Sequence, residues 1–298
     1  MEGPARRALF VVNPEAGGGR TRRVWRDLAR EAARRAPECG VALTRARGDA
    51  TALARRAVAE GWPLVVAVGG DGTLNEVVNG LVHAGNGPAL GAILTGRGCD
   101  ACRNFGLARD PRAALERALA GVETRVDIGV ATSADGGTRY FLGAAGVGFD
   151  AVVAERAATS RRRGTLPYLA AVLATVCTYR PAPAAIEADG RPVWSGRLTM
   201  AVVANGACYG GGMRIAPGAD PADGVLDLVV LDNLGRLELV RWLPTVYRGT
   251  HVRNPKVTVR RERSVTVRAE LAVHADGEAA GRAPVTISVL PGALRLRR

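Results

Sequence analysis

The feature that most constrains the fold is the alternation, over the first 120 residues, of short apolar runs with longer amphipathic segments. Strands that lack polar alternation and are joined by helices are typical of a parallel sheet with both faces covered. The pattern therefore predicts an N-terminal, doubly wound parallel-sheet α/β domain. Its predicted strands are 8–12, 41–43, 64–68 and 89–94, and its predicted helices are 21–35, 51–59, 74–82 and about 99–119.

The pattern changes after about residue 123, where longer strands with polar alternation and turn signals follow one another. These signals predict a C-terminal antiparallel β-sandwich domain, interrupted by one or two helices. We expect domains at 1–123 and 124–289, with the last strand, about 290–298, completing the first domain and a cleft between the two. The predicted strands are 125–131, 139–143, 185–188, 197–204, 225–231, 257–259, 264–268 and 285–290, the helices are 151–158 and 166–179, and the turns are 135–137, 189–190 and 291–292.

Composition favours a folded, globular chain, because 47% of the 298 residues are hydrophobic and 23% are charged. The net charge of +13 attracts polyanions, but nearly all of the positive charge is arginine, which favours a compositional bias of the genome over selection for a partner. Nucleic acid is not expected, because no interleaved aromatic residues accompany the basic ones. Lys256, the only lysine, lies outside any glycine-rich loop, which argues against a P-loop and a protein-kinase arrangement.

The five cysteines are odd in number and scattered, and no secretory leader precedes them, so we expect a cytoplasmic protein. The longest nearly apolar run, 166–179, is shorter than the roughly 20 residues of a spanning helix, and any membrane contact is expected to be peripheral. Cys99 and Cys102 form a Cys-x-x-Cys pair, but the sequence has no second such pair and no paired histidines to complete a zinc site.

One turn carries the sharpest local signal: the strand at 64–68 ends in Gly69, Gly70 and Gly72 around Asp71, and a helix follows at once. Glycine lets backbone N–H groups close around a phosphate, and a helix start adds partial positive charge. An anionic ligand is therefore expected here, with Asp71 acting through a divalent cation or water, or on a proton. A plain tight turn with an N-capping Asp71 or Thr73 would explain two of the three glycines.

This turn, read as Gly69-Gly70-Asp71-Gly72-Thr73 with Asn75-Glu76-Val77 and Asn79-Gly80-Leu81 behind it, resembles the nucleotide-binding signature of the diacylglycerol kinase catalytic domain, found in bacterial soluble lipid kinases and sphingosine kinases. A bare Gly-Gly-Asp-Gly also occurs in NAD kinases and phosphofructokinases, so the ordered set of other blocks makes the resemblance specific. Those blocks are Asn13-Pro14 with Gly17-Gly18-Gly19, Asp127-Ile128-Gly129, Gly146-Val147-Gly148-Phe149-Asp150, Asn205-Gly206 with Tyr209-Gly210-Gly211-Gly212, Ala216-Pro217, Asp220 to Asp227, and Asp276-Gly277-Glu278.

The resemblance implies a kinase that binds ATP in the cleft and passes phosphate to a lipid hydroxyl with Mg²⁺. It implies that the first domain binds the nucleotide and that the sandwich domain binds the lipid substrate at a membrane surface. The nucleotide contacts that carry over are Asn13, Thr44, Gly69, Gly70, Asp71, Gly72, Thr73, Asn75, Glu76, Gly96 and Arg97, of which Thr44 has the weakest signal.

The resemblance also assigns roles to acidic residues. Asp71, Asp100 and Asp127 would form a water and Mg²⁺ network under the ATP phosphates, although Asp100 and Asp127 also suit ordinary helix-start and strand-end positions. Asp276 or Glu278 would deprotonate the acceptor hydroxyl, and the sequence does not decide between them, while His274 is expected to be a strand residue. A structural Mg²⁺ would be held by Asp220, Asp223 and the carbonyl of Val225, with a metal-free Asx turn as the alternative.

The chain departs from the family where Pro-x-Gly-Thr-x-Asn-Asp is usual, because Arg97 replaces the Thr and Cys99 replaces the Asn. An active, divergent lipid kinase is the favoured interpretation; an NAD kinase-like enzyme and a degenerate nucleotide- or lipid-binding regulator are the alternatives. Arg161 to Arg163, with the apolar segment 166–179, could rest on an anionic bilayer or form a solvated charge run that caps a core helix. The sequence does not select the acceptor lipid, and a homodimer is left open.

Overall fold

A computed structural model describes residues 5–96, 98–159 and 165–298, and the side chains of 158, 159 and 165–169 are also outside the description. Arg97 and the Arg161 to Arg163 run, both singled out by the sequence, therefore lie outside the described residues. The chain divides into two compact units, here unit 1 (Met1–Asp127 with Pro291–Arg298) and unit 2 (Ile128–Leu290).

Unit 1 is built around a parallel sheet in the order β2, β1, β3, β4 and the end of β15. Its strands are β1 (Arg7–Val12), β2 (Glu38–Leu43), β3 (Leu64–Gly69), β4 (Ala89–Leu94), the start of β5 (Glu123–Ser133) and the end of β15 (Val285–Arg297). Its helices are α1 (Arg20–Arg35), α2 (Asp49–Ala59), α3 (Asp71–His83), α4 (Asp100–Phe105) and α5 (Pro111–Ala120).

The central strands of unit 1 are buried along their whole length, which explains why they lack polar alternation. Alternate strand residues, such as Phe10 and Val66, share a core with Leu28 of α1 and Leu115 of α5. Helices α2 and α3 pack so closely that a Cβ on Gly80 would lie 2.4 Å from the carbonyl oxygen of Thr51. The predicted doubly wound α/β fold is confirmed.

Several boundaries in unit 1 differ from the sequence prediction, and β2 begins at Glu38 rather than at residue 41. The single helix expected at about 99–119 is two helices, because Gly106 takes a left-handed φ of 65° and Asp110 caps a new helix that begins at Pro111. Helix α3 begins at Asp71 rather than at residue 74, so Asp71, Gly72 and Thr73 form its first turn and Gly70 is its N-cap.

Unit 2 contains antiparallel strand pairs throughout its described part. Its strands are the rest of β5, β6 (Thr138–Phe141), β7 (Ala144–Gly148), β8 (Ala182–Ala188), β9 (Arg191–Ala204), β10 (Leu226–Asp232), β11 (Val257–Glu262), β12 (Ser264–Ala269), β13 (Ala272–Ala275), β14 (Glu278–Arg282) and the start of β15. Its helices are α6 (Phe149–Thr159), α7 (Thr165–Thr178), α8 (Arg236–Arg248) and a 3₁₀ turn, Thr250–Arg253.

Strand β9 contributes side chains to two cores in unit 2. Ala201 and Val203 pack with Phe141 and Ile186 inside the sandwich, whereas Val202 belongs to a core shared with α6, α7 and α8. The predicted antiparallel β-sandwich is confirmed, with helices packed on the outer face of part of one sheet.

The sequence prediction missed several elements of unit 2. Helix α8 was not expected, because Pro244 lies inside it and its exposed face is also apolar. Strand β7 lies in a glycine-rich stretch that lacks polar alternation, and β14 is short. The expected turn at 291–292 is wrong, because Pro291 and Gly292 continue inside β15.

Candidate functional site

The three glycines of the turn after β3 have different surroundings. A Cβ on Gly69 would lie 2.5 Å from Oγ1 of Thr73, so that glycine is required by packing within the turn. A Cβ on Gly70 or Gly72 would meet no protein atom within 4 Å. Packing therefore explains one glycine, whereas the other two leave open space beside the first turn of α3, where helix N–H groups lack partners.

Residues at the carboxyl ends of β1 and β2 lie next to this turn. Asn13 donates a side-chain hydrogen bond to Oγ1 of Thr73 at 3.0 Å, and its backbone N–H bonds the carbonyl of Val68 at 2.9 Å. Thr44, buried after β2, donates its N–H to the carbonyl of Val12 at 2.9 Å. The structure thus brings Asn13, Thr44 and Thr73 to the same end of the sheet.

Thr95, directly after β4, is a residue of this region that the sequence reading missed. Its hydroxyl lies 2.5 Å from the hydroxyl of Thr21 and 3.1 Å from the carbonyl of Gly69. The next residue, Gly96, is so close to the turn that a Cβ added to it would lie 3.3 Å from the Cα of Gly70. The sequence signal for Thr95 was its position between the end of a strand and Gly96. Threonines are common at strand ends, so this position alone did not mark Thr95 as a site residue.

Asp71 and Asp100 both lie near Gly98. A Cβ on Gly98 would be 3.3 Å from Oδ2 of Asp71 and 4.0 Å from Oδ2 of Asp100. Asp71 accepts the N–H of Ala101 at 3.3 Å, and Asp100 pairs with Arg103 at 2.9 Å. Asp71 and Asp100 therefore lie close to each other at the turn, and the network predicted for them with Asp127 stays a prediction.

Three other predicted site residues have clear structural contacts. The carboxylate of Glu76 accepts the N–H groups of Gly48 and Ala50, at 3.0 and 3.2 Å, and so holds the start of α2. Buried Asn75 accepts a side-chain bond from Asn79 at 3.2 Å. Buried Asp127, on β5, accepts the N–H of Gly292 at 2.7 Å, which ties it to the last strand. Each of these side chains has a structural task besides any contact with a nucleotide.

Cys99 stands where the family usually has Asn, and its backbone takes a left-handed φ of 46° as the N-cap of α4. Its thiol donates to the carbonyl of Gly96 at 2.8 Å. The hydrogen bond with Cys102 lowers the pKa of Cys99, and the same bond raises the pKa of Cys102. The pair is buried and has no zinc-like set of ligands around it in the described part of the chain.

The acidic hairpin of unit 2 joins β13 to β14 through Asp276 and Gly277, which have φ values of 49° and 78°. Positive φ at both positions is the type I′ turn, for which Asp-Gly is a preferred pair. The Asp276 carboxylate accepts three backbone N–H groups at 2.8 to 3.1 Å, from Leu142, Gly143 and Ala144. Asp276 thus fastens the hairpin to the 142–144 segment.

The 142–144 segment is also held by Asn205, which is fully buried after β9. The Asn205 side chain donates to the carbonyl of Leu142 at 2.9 Å, and its backbone N–H donates to the carbonyl of Gly143 at 2.8 Å. Glu278 begins β14 opposite Ala275 and is half-buried. The two acids of the hairpin therefore stand in different environments.

His274 and Asp150 form a buried pair beside this hairpin. His274 Nε2 lies 3.0 Å from Oδ2 of Asp150, and His274 Nδ1 accepts the N–H of Gly277 at 3.2 Å. The second contact requires an unprotonated Nδ1, so Nε2 carries the proton given to Asp150. A Cβ on Gly146 would lie 1.8 Å from Oδ2 of Asp150, so this glycine makes room for the pair. His274 was expected to be a strand residue, and it lies in β13.

The loop predicted to hold a structural magnesium is closed by its own hydrogen bonds. Asp220 accepts the N–H of Ala222 and Asp223 that of Val225, both at 3.1 Å. The second oxygen of Asp223 pairs with Arg261. Within the described residues, no three His, Cys, Asp or Glu side chains are grouped as metal ligands. The arrangement does not fit a metal as it stands, and the magnesium assignment stays a prediction.

Comparison with known proteins agrees with these blocks. The model of the diacylglycerol kinase catalytic domain matches residues 7–131, and that of the YegS C-terminal NAD kinase beta sandwich-like domain matches residues 143–298. A diacylglycerol kinase of Mycobacterium tuberculosis is 36% identical over 253 residues, which cover 84% of this chain and 81% of that protein. This chain belongs to the diacylglycerol kinase family. The predicted family and the predicted kinase activity are confirmed.

Other relatives of the diacylglycerol kinase family extend the match over most of the chain. A diacylglycerol kinase of Bacillus subtilis is 29% identical over 284 residues, covering 94% of this chain and 92% of that protein. A solved candidate diacylglycerol kinase from Bacillus anthracis has a TM-score of 0.81 at 23% identity, covering 99% and 98% of the two chains. An NAD kinase from Archaeoglobus fulgidus in complex with ATP has a TM-score of 0.54 at 19% identity, covering 98% and 93%. The two structures support the fold.

Proposed function

We propose that this kinase transfers the γ-phosphoryl group of ATP to the hydroxyl of a lipid, diacylglycerol or a related molecule. The observation that carries the proposal is the open space at Gly70 and Gly72, beside the first turn of α3, in a chain of the diacylglycerol kinase family. Backbone N–H groups exposed at a helix start favour phosphate, and a missing Cβ lets the phosphate approach.

ATP, when bound, supplies the phosphoryl group, and magnesium lowers the charge repulsion between its phosphates. In this chain Asp71 and Asp100, grouped at Gly98, are the carboxylates suited to hold the metal and its waters. Asp100 also pairs with Arg103 at 2.9 Å. One or two carboxylates beside the phosphates are the protein ligands that Mg²⁺ usually takes in a nucleotide site.

Glu278 is the better candidate for the base that accepts the hydroxyl proton of the lipid. A carboxylate that already accepts three N–H bonds, as Asp276 does, has few lone pairs left for a substrate proton. In the transfer, the acceptor oxygen bonds to the γ-phosphorus, the bond from that phosphorus to the β–γ bridging oxygen breaks, and the proton passes to the Glu278 carboxylate. Asp276 is then a positioning residue.

Peripheral contact with a membrane is part of the proposal, because the acceptor resides in a bilayer. Among the described residues, no helix has both the length and the hydropathy needed to cross one. The structure describes neither Arg97 nor the run from Arg161 to Arg163, so their predicted roles at the nucleotide and at the headgroups stay predictions.

A direct test incubates the full chain with radiolabelled ATP and Mg²⁺ and offers, in separate reactions, diacylglycerol, a sphingoid base, monoacylglycerol and NAD. We expect label in the lipid phase and none in NAD. Glu31→Gln, which removes a surface charge paired with Arg35, is the control variant and should label lipid at the wild-type rate. Label in NAD would favour the NAD kinase-like alternative. No label in any acceptor would favour the regulator, and Cys99→Asn should then raise turnover.

A further inference from the structure

Helix α8 has an apolar stripe on its exposed side as well as on its buried side. Leu239, Trp242 and Val246 are buried against the sheet. On the other side lie Leu237, Val240, Pro244 and Tyr247, at spacings of three, four and three residues, and Leu237, Val240 and Tyr247 are 81%, 49% and 48% exposed. A helix that faces water is expected to be polar on that side, so this stripe calls for a partner.

Helix α7 adds a second stripe next to the first. Among its described side chains, Ala170, Leu173, Ala174 and Cys177 are exposed at helical spacing, and none of residues 170–178 is charged. A crevice of about 40 Å³ separates the two helices, and both Leu173 and Val240 line it. The eight exposed residues therefore form one surface, here called the α7–α8 face: Ala170, Leu173, Ala174, Cys177, Leu237, Val240, Pro244 and Tyr247.

Arginines surround the α7–α8 face. Arg236, Arg241 and Arg248 are exposed on α8, and Arg180 is exposed just after α7. Glu238 is the acidic residue of α8, and it is neutralised by Lys256, whose Nζ lies 2.7 and 2.9 Å from its two oxygens. This hydrogen bond also lowers the pKa of Glu238, which keeps the pair ionised. The net charge around the face is therefore positive.

We propose that the α7–α8 face docks on the surface of an anionic lipid bilayer. Exposed apolar side chains between arginines match the two layers of a bilayer surface, because the side chains enter the acyl boundary while the guanidinium groups stay at anionic headgroups. Each arginine near such a surface adds about fivefold to the affinity. The inference rests on the proposed function, since it places the kinase where its acceptor resides.

A second copy of the chain is a poorer occupant for this face. In a twofold contact the same patch meets itself, so Arg236, Arg241 and Arg248 of one copy would face those of the other. Like charges brought together in this way oppose association. An anionic bilayer instead attracts all of them, and it also attracts the rest of a chain whose net charge is +13.

The test is co-sedimentation of the full chain with vesicles of phosphatidylcholine alone or of phosphatidylcholine with phosphatidylglycerol. We expect binding to the anionic vesicles, weakened about tenfold or more by Leu237→Gln with Val240→Gln. Arg241→Gln with Arg248→Gln should weaken it by about thirtyfold on anionic vesicles and leave the neutral ones unaffected. Val259→Gln, which changes an apolar residue that is 41% exposed on β11, is the matched control and should bind normally.

Activity on a soluble short-chain diacylglycerol separates this inference from the proposed function. The paired Leu237 and Val240 variant should keep wild-type turnover on the soluble acceptor and lose it on vesicles. Wild-type vesicle binding by that variant would overturn the docking surface. If, in addition, the wild-type chain were a dimer in analytical ultracentrifugation and the variant a monomer, the face would be a contact between two copies. A wild-type chain that binds vesicles but phosphorylates neither form of the lipid would leave the surface standing and contradict the proposed function.

Discussion

The glycine-rich turn of unit 1 and the acidic hairpin of unit 2 are both short connections with a family motif, but they are built in opposite ways. The turn leaves open space at Gly70 and Gly72. In the hairpin, Asp276 is occupied by three N–H groups of the protein itself. Residues that belong to a family motif therefore divide into those open to a ligand and those that hold the fold.

The largest expected effect separates the two acids of the hairpin. Glu278→Gln should lower kcat by about a thousandfold, as loss of a general base does. Asp276→Asn keeps a residue that tolerates the left-handed backbone but weakens three charge-assisted bonds, and should cost about 3 kcal/mol of unfolding free energy. Turnover and thermal melts of both variants check this. A stable, inactive Asp276→Asn with a fully active Glu278→Gln would reverse the assignment.

The buried pair beside the hairpin offers the next test. In Gly146→Ala the new methyl group would overlap Oδ2 of Asp150, which must leave His274 or displace β7. We expect a loss of roughly 3 kcal/mol in unfolding free energy, measured by urea denaturation. The control variant is Gly218→Ala, because a Cβ on Gly218 would meet no atom within 4 Å. Equal stability of the two variants would mean that the pair does not constrain Gly146.

The turn is probed by two neighbouring glycines. Gly70 has an ordinary φ of −105° and free space, so Gly70→Ala should leave the thermal midpoint unchanged and raise KM for ATP about tenfold. Gly69→Ala forces Thr73 to move and should cost about 1 to 3 kcal/mol of unfolding free energy. Steady-state kinetics and thermal melts distinguish the two. Unchanged KM in a stable Gly70→Ala would show that the open space is not used by the nucleotide.

The smallest effect concerns the loop predicted to bind magnesium. If Arg261 supplies the positive charge beside Asp223, chelation should leave the wild-type thermal midpoint unchanged, and Arg261→Gln should cost at most about 1 kcal/mol because the pair is partly exposed. Magnesium should then restore part of that loss. Arg260→Gln, which breaks a neighbouring pair with Glu262, is the control and should not respond to magnesium. A wild-type midpoint that drops on chelation would support the structural metal.

Most of unit 1 was predictable because its buried strands are continuous apolar runs in the sequence. Strand β4 was predicted with its observed bounds, since all of its residues are buried between two glycine- or alanine-containing turns. Helix α8 was not predictable, because its outward apolar stripe hides the period that marks a helix packed on one side. The two apolar stripes of α8 can be told apart only in the structure, which shows that one of them is buried.

The roles of the acids depended on partners far away in sequence. Asp276 meets residues that lie 132 to 134 positions earlier, and His274 meets Asp150 across 124 positions. No local pattern predicts such pairs, so the motif gave both Asp276 and Glu278 as candidates. The turn motif could be read from sequence because Gly69, Gly70, Asp71 and Gly72 are consecutive and the helix that they precede begins within the motif.

The most direct test of the open turn is a crystal structure of the full chain with Mg²⁺ and a non-hydrolysable ATP analogue. The phosphate oxygens should lie about 2.7 to 3.2 Å from backbone nitrogens of residues 70–73, with the metal or its waters at Asp71. A triphosphate bound elsewhere, with Gly70 and Gly72 left open, would contradict the assignment of this turn to the nucleotide.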